Sequence, residues 1–132
     1  AIDFSVYCDD ILVEHFRGDG VIVATPTGST AYSLAAGGPI LDSQTKGIVV
    51  TPICPHSLAT PPMVFAQERK INICVGQVAD DEVFISCDGD DGYTLRAGAT
   101  AVVRLSDQNV QLITFSRADQ FQAIDQKLRS RT

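Results

Sequence analysis

The sequence has no tryptophan, one methionine and two histidines in 132 residues, and it is short of positive charge: 10 basic residues stand against 16 acidic ones, a net charge of −6. A chain with that balance has no broad positive field to hold a nucleic acid or an anionic membrane. Any phosphate bound here must be held locally, by backbone N–H groups and one or two cations. Long apolar runs are also missing. The longest cover a handful of residues, far below the ~20 that a membrane-spanning helix needs, and the N-terminus has neither a charged leader nor an apolar signal core. A cytoplasmic protein is therefore expected. Cys-x-x-Cys pairs are absent as well. Cys8, Cys54, Cys74 and Cys87 are widely spaced among apolar or strand-like neighbours, so reduced thiols buried as small hydrophobes are expected rather than disulfides or zinc ligands. His15 and His56 have no carboxylate or thiolate at metal-ligand spacing, which favours solvated or hydrogen-bonded structural roles.

What is present is the composition of a folded domain, 45% hydrophobic and 20% charged, and no linker or repeat divides it. Residues 1–132 read as one domain. Most of the chain is short β-patterned runs cut by turn residues, which predicts a mostly β, sandwich-like fold. Phe4, Val6 and Cys8 alternate before Asp9-Asp10, and Ile11, Val13 and His15 alternate after it, a hairpin pattern. Further strands are predicted over Val21–Ala24, through the apolar run Ile48-Val49-Val50, and over Lys70–Val75, Glu82–Cys87, Ala101–Leu105 and Val110–Phe115. The run at Ile48 has the character of a strand buried on both faces. Pro52, Pro55, Pro61 and Pro62 are expected to break up the chain that follows it. Two helices are predicted. One is short, Ser29–Ala36, with Thr27 or Ser29 as N-cap and Gly37-Gly38-Pro39 as its stop. The other runs from Asp119, where Phe121, Ile124 and Leu128 recur at helical spacing. The opening Ala1-Ile2-Asp3 starts directly on a strand pattern without an initiator Met and reads as a piece of a longer polypeptide, although removal of that Met leaves the same appearance.

The segment richest in chemistry is Thr25-Pro26-Thr27-Gly28-Ser29-Thr30-Ala31-Tyr32. A strand ends at a proline, a glycine permits an unusual turn, and hydroxyl residues open a helix whose first N–H groups lack partners. Such an end attracts anions and polar ligand edges. Ala31 leaves room for a flat ring, and Tyr32 offers a stacking face and a hydroxyl. Simple helix capping by Thr27, Ser29 and Thr30 explains the same hydroxyls. Just upstream, Arg17-Gly18-Asp19-Gly20 places a guanidinium and a carboxylate beside glycines, suited to a phosphate and to a ribose hydroxyl or amide; a solvated turn is the plain alternative. Asp88-Gly89-Asp90-Asp91-Gly92 fails the EF-hand spacing and reads as an acidic β-turn.

Taken together, the stretch Arg17 to Pro39, with FRGDG, TPTGSTAY and GGPI in register, resembles the NAD kinase family. Thr51-Pro52-Ile53-Cys54-Pro55-His56-Ser57-Leu58 is similar to that family's T-P-x-x-P-H-S-L segment, and Asp88-Gly89 matches a later pair, so the resemblance spans nearly the entire chain. It implies the β-rich C-terminal domain of an enzyme that also has an N-terminal α/β domain, absent here. It implies transfer of a phosphoryl group from ATP, or polyphosphate in some members, to the adenosine ribose 2′-hydroxyl of NAD, giving NADP, with Mg²⁺ or another divalent cation accompanying the donor. Carried over by position, Asp19 would bond the nicotinamide end of NAD and Arg17 would lie near the ribose 2′ position or the phosphates. Thr30, Ala31 and Tyr32 would contact rings and sugars, with Ser33, Leu34 and Ala35 completing that wall. The resemblance also implies a homo-oligomer. The family's Gly-Gly-Asp-Gly motif, with the proposed base, is not in this sequence, so no catalytic residue and no metal ligand is assigned to it. Many members carry Gln where this chain has Asp90, and no ligand role passes to that position. The readings kept beside this one are a non-catalytic dinucleotide-binding or self-assembling β-domain, and a lipid kinase of the wider superfamily, against which TPTGSTAY counts.

Overall fold

A computed structural model of the chain describes residues 1–76 and 83–108 together with Phe121, Ile124, Asp125 and Leu128. The predicted hairpin is formed by β1 (Ile2–Cys8) and β2 (Ile11–Gly18), paired antiparallel from Ile2↔Gly18 to Cys8↔Ile11. Asp9 and Asp10 turn it with φ of 48° and 69°, the left-handed pair that matches the twist of two antiparallel strands. Asp9 does more than turn. Its carboxylate accepts hydrogen bonds from the Arg69 guanidinium (2.9 Å) and the Lys70 N–H (2.9 Å), and the Arg69 bond, followed by the Lys70 bond, holds its carboxyl below the usual range.

The remaining strands are β3 (Gly20–Ala24), β4 (Gly47–Ile53), β5 (Met63–Ala66), β6 (Ile71–Val75), β7 (Val83–Ile85), β8 (Tyr93–Leu95) and β9 (Thr100–Val103). They form a four-stranded sheet in the order β2-β1-β6-β9, a three-stranded sheet β3-β4-β5 and the hairpin β7-β8, with every pairing antiparallel. Period-two patterning decides which face is inside. Phe4, Val6, Ile71, Ile73 and Val75 point from the four-stranded sheet into a core that also takes Val50 and Phe65 from the three-stranded sheet and Val83 from the hairpin. Two sheets packed across one core give the mostly β, sandwich-like fold that the sequence implies.

Several local expectations need correction. Strand β4 continues through Pro52 instead of stopping before it. Its pairing with β5 covers only residues 47–50, so on that side the missing N–H of Pro52 costs no ladder bond. The expected burial of β4 on both faces is found, with residues 47–52 all buried. Strands β5 and β8 had no counterpart in the sequence reading, being short and half-exposed. The strand expected over Val110–Phe115 lies outside the described residues. Of the C-terminal helix, the described positions Phe121, Ile124, Asp125 and Leu128 are helical. No helix among the described residues is long and apolar enough to cross a membrane. All four cysteines are free thiols, but only Cys8 is buried; Cys74 is half-buried, and Cys54 and Cys87 are exposed where the chain has left its strands. His15 does have a hydrogen-bonded role, with its Nδ1 3.0 Å from the Ser5 hydroxyl.

One strand position conflicts with its surroundings. Val6 pairs with Glu14 but Tyr7 pairs with Leu12, so Val13 is bulged out and Glu14 falls on the same face as Val6, toward the core. Both Glu14 carboxylate oxygens are shielded from solvent without a hydrogen-bond partner, and burial raises its pKa above the usual 4.5. A carboxyl whose folded pKa is raised favours folding while protonated and loses that contribution as pH climbs through the folded value. Glu14→Gln is therefore expected to melt above the wild type at pH 7, with the two curves converging as pH falls toward 4.5 and below; melting temperatures across that range check it.

Candidate functional site

The site begins where the chain changes sheets. Gly18 ends β2 and Gly20 starts β3, and both are forced to be small by Ile53: a Cβ on Gly18 would lie 2.9 Å from the Ile53 carbonyl oxygen, and one on Gly20 2.9 Å from Ile53 Cδ1. The Asp19 N–H donates to the same carbonyl at 2.9 Å. The residue between the two glycines is thus fixed by its backbone while its side chain stays exposed.

After β3 the chain does not form the helix expected over Ser29–Ala36. It makes a 3₁₀ turn, Thr27–Thr30, and then a separate single-turn helix α1 (Tyr32–Ala35), broken at Ala31 with φ −97° and ψ −123°. Neither Thr27 nor Ser29 caps a helix. The Ser29 hydroxyl donates to the Pro26 carbonyl (2.6 Å) and accepts the Leu41 N–H (3.1 Å), which tightens the turn and pins it to the chain that follows. Thr25 Oγ1 accepts the Gly28 N–H at 3.2 Å. A single turn has too few aligned peptides for an appreciable dipole, so the anion-attracting helix end drawn from the sequence is not formed. The expected stop is present: Gly37 has φ +94°, and the Gly37 and Gly38 N–H groups return to the Leu34 and Ser33 carbonyls.

These elements border a cleft of about 1230 Å³, larger than the roughly 300–1,000 Å³ typical of a drug-sized ligand. Its apolar floor includes Phe4, Val23, Ile73, Val75 and Val103, and its polar lining includes Asp19, Thr25, Ser86, Asp88 and Arg104. Of the residues singled out by sequence, Asp19, Ala31, Tyr32 and Ser33 are brought together here. Tyr32 presents its ring to solvent, 62% exposed, whereas Ser33 is 1% exposed and its hydroxyl is bonded to Thr51 Oγ1 at 2.9 Å. Ser33 thus anchors α1 to β4. Thr30, Leu34 and Ala35 are not in the lining, and the Thr30 hydroxyl donates to the Thr27 carbonyl at 3.3 Å. Arg17 is also outside. It pairs with Asp3 in the β1–β2 register, on the face opposite the core-facing pair Phe4↔Phe16, and its Nε lies 4.0 Å from Asp3 Oδ1.

The sequence reading missed two parts of the lining. The first is the β7–β8 loop, whose Ser86, Cys87, Asp88 and Gly89 border the cleft. Asp88 and Gly89 both have positive φ, 51° and 77°. Asp90 Oδ1 accepts the N–H groups of Cys87 and Gly92, each at 3.0 Å, so that side chain ties both arms of the loop. The acidic turn was visible in the sequence, but not its place beside residues 60 or more positions upstream. The second is Arg104, for which no local pattern existed. Among the described residues no group of three or more His, Cys, Asp or Glu side chains could hold a metal.

The model of the ATP-NAD kinase C-terminal domain matches residues 1–115. The chain belongs to the NAD kinase family. It is 38% identical over 128 residues to the NAD kinase of Caldicellulosiruptor saccharolyticus, covering 97% of this chain and 48% of that protein. With the NAD kinase of Prosthecochloris aestuarii it shares 44% identity over 110 residues, 83% of this chain and 38% of that one. The chain therefore spans about half the length, or less, of these NAD kinases. Its fold is similar to that of yeast NADH kinase complexed with NADH, with a TM-score of 0.85 and 28% identity over 97% of this chain and 40% of that one. It is also similar to an NAD kinase from Archaeoglobus fulgidus in complex with ATP, with a TM-score of 0.71 and 29% identity over 80% of this chain and 40% of that one.

Proposed function

We propose that this domain holds the nicotinamide dinucleotide for an NAD kinase, so that its adenosine ribose 2′-hydroxyl can receive a phosphoryl group from ATP or polyphosphate. The observation that carries this reading is the convergence of Asp19, Ala31 and Tyr32 on one large cleft with an apolar floor, in a member of this family. Asp19 accepts hydrogen bonds from an amide or hydroxyl of the dinucleotide. Tyr32 supplies a ring face, and Ala31 leaves the backbone open to a flat ligand. In the transfer, the 2′-oxygen attacks the terminal phosphorus, the bond to the donor's bridging oxygen breaks, and the shortened donor leaves. The hydroxyl proton needs a base beyond this chain, whose sequence has no Gly-Gly-Asp-Gly motif. Such chemistry depends chiefly on positioning and charge stabilisation, and the domain contributes positioning.

A divalent cation with the donor, a homo-oligomer and a cytoplasmic setting belong to the same proposal. The described residues offer the cation no cluster of ligands, so no step is assigned to it here. The test is a full-length enzyme containing this domain, supplied with NAD, Mg²⁺ and ATP or polyphosphate: NADP is expected with the full-length enzyme and none with the 132-residue chain alone. Failure of the full-length enzyme to form NADP with any donor, while NAD still binds, supports the non-catalytic dinucleotide-binding reading instead.

A further inference from the structure

We infer that Arg104 is the cation that meets a phosphate group of the dinucleotide in this cleft, an inference that rests on the dinucleotide-binding reading above. The starting point is charge. The chain carries a net charge of −6, and the cleft lining includes the carboxylates Asp19 and Asp88. An anionic diphosphate entering such a site is repelled unless a positive group lies within reach. Among the described lining residues Arg104 is the one side chain that bears a positive charge. Arg17, the cation that family resemblance points to, is on the outer face of β2 beside Asp3, and that carboxylate is also 3.7 Å from His15 Nε2.

The fold gives Arg104 a suitable mounting. It directly follows Val103, whose register partner Ile71 is fully buried, so the backbone is anchored while the side chain is exposed. No carboxylate among the described residues is ion-paired with it, so binding a phosphate breaks no existing pair there. A guanidinium also suits phosphate oxygens because two of its N–H groups can bond them side by side.

The experiment is a calorimetric titration of the chain with NAD at low and high salt, using wild type, Arg104→Gln, Arg104→Lys and Arg17→Gln. At low salt, Arg104→Gln is expected to weaken NAD binding about tenfold and to flatten the salt dependence. Arg104→Lys is expected to restore the salt dependence and part of the affinity, and Arg17→Gln to bind as wild type does. Binding of nicotinamide riboside, which lacks phosphate, is expected to be the same in wild type and Arg104→Gln, which separates a phosphate contact from a general disturbance of the cleft. Wild-type NAD binding that Arg104→Gln leaves unchanged, or a loss that follows Arg17→Gln instead, overturns this inference alone. Absence of NAD binding in the wild type overturns the dinucleotide reading and this inference with it.

Discussion

Gly38→Ala is expected to lower stability by about 3 kcal/mol, roughly 10 °C in melting temperature for a domain of this size, and to weaken ligand binding at the same time. The new Cβ would lie 2.5 Å from Ser33 Oγ, 2.6 Å from Thr51 Oγ1 and 2.9 Å from the Ser33 carbonyl oxygen. None of these can give way cheaply. Ser33 and Thr51 are each 1% exposed, and their mutual hydrogen bond is the tie between α1 and β4. Forcing them apart leaves buried hydroxyls without partners and moves the turn that presents Ala31 and Tyr32. The neighbouring Gly37 gives the control. It has φ +94° with open space around a hypothetical Cβ, so Gly37→Ala meets only the backbone cost of the left-handed conformation, about 1 kcal/mol. A smaller shift for Gly38→Ala than for Gly37→Ala in thermal melts would contradict the packing described here.

Tyr32→Ala is expected to weaken NAD binding about tenfold or more while changing the melting temperature little. The ring is 62% exposed and lines the cleft, so its removal opens no cavity in the core, whereas a ring stacked on a ligand base or nicotinamide contributes on the order of 1–3 kcal/mol. Asp19→Asn removes a charge from the same lining and is expected to weaken binding by a similar factor through loss of a charge-assisted acceptor. Titration calorimetry beside thermal melts checks both. A variant that melts early would show that the residue holds the fold, and one that binds NAD normally would remove it from the site.

How much of this was readable in the sequence depended on the range of the interaction involved. The β1–β2 hairpin was plain because alternation and the Asp9-Asp10 turn are local signals. The mostly β fold followed from repeated short strand patterns, and residues 17–39 carried enough family likeness to point to Asp19 and Tyr32. Where tertiary packing overrode local preference, the reading failed. Ser29 looks like a helix cap, but its hydroxyl is committed to Pro26 and Leu41, and the helix divides at Ala31. Ser33 looks like part of a ligand wall, but Thr51 on β4 claims it. Arg17 was placed near the ligand by position alone, and strand alternation turns it to the other face of the sheet. Arg104 and the Asp88-Gly89 turn reach the cleft only because β6–β9 pairing and the β7–β8 hairpin carry them there, a long-range outcome that no local pattern encodes.

The central claim is that this cleft is the dinucleotide site, and amide chemical-shift mapping of the isotopically labelled chain during titration with NAD tests it most directly. The account predicts saturable shifts concentrated at Asp19, Ala31, Tyr32, Cys87 to Gly89 and Arg104, with little change at Ser5, His15 and Thr100 on the outer face of the four-stranded sheet. Shifts centred on that outer face, or no saturable shifts at all, would contradict it.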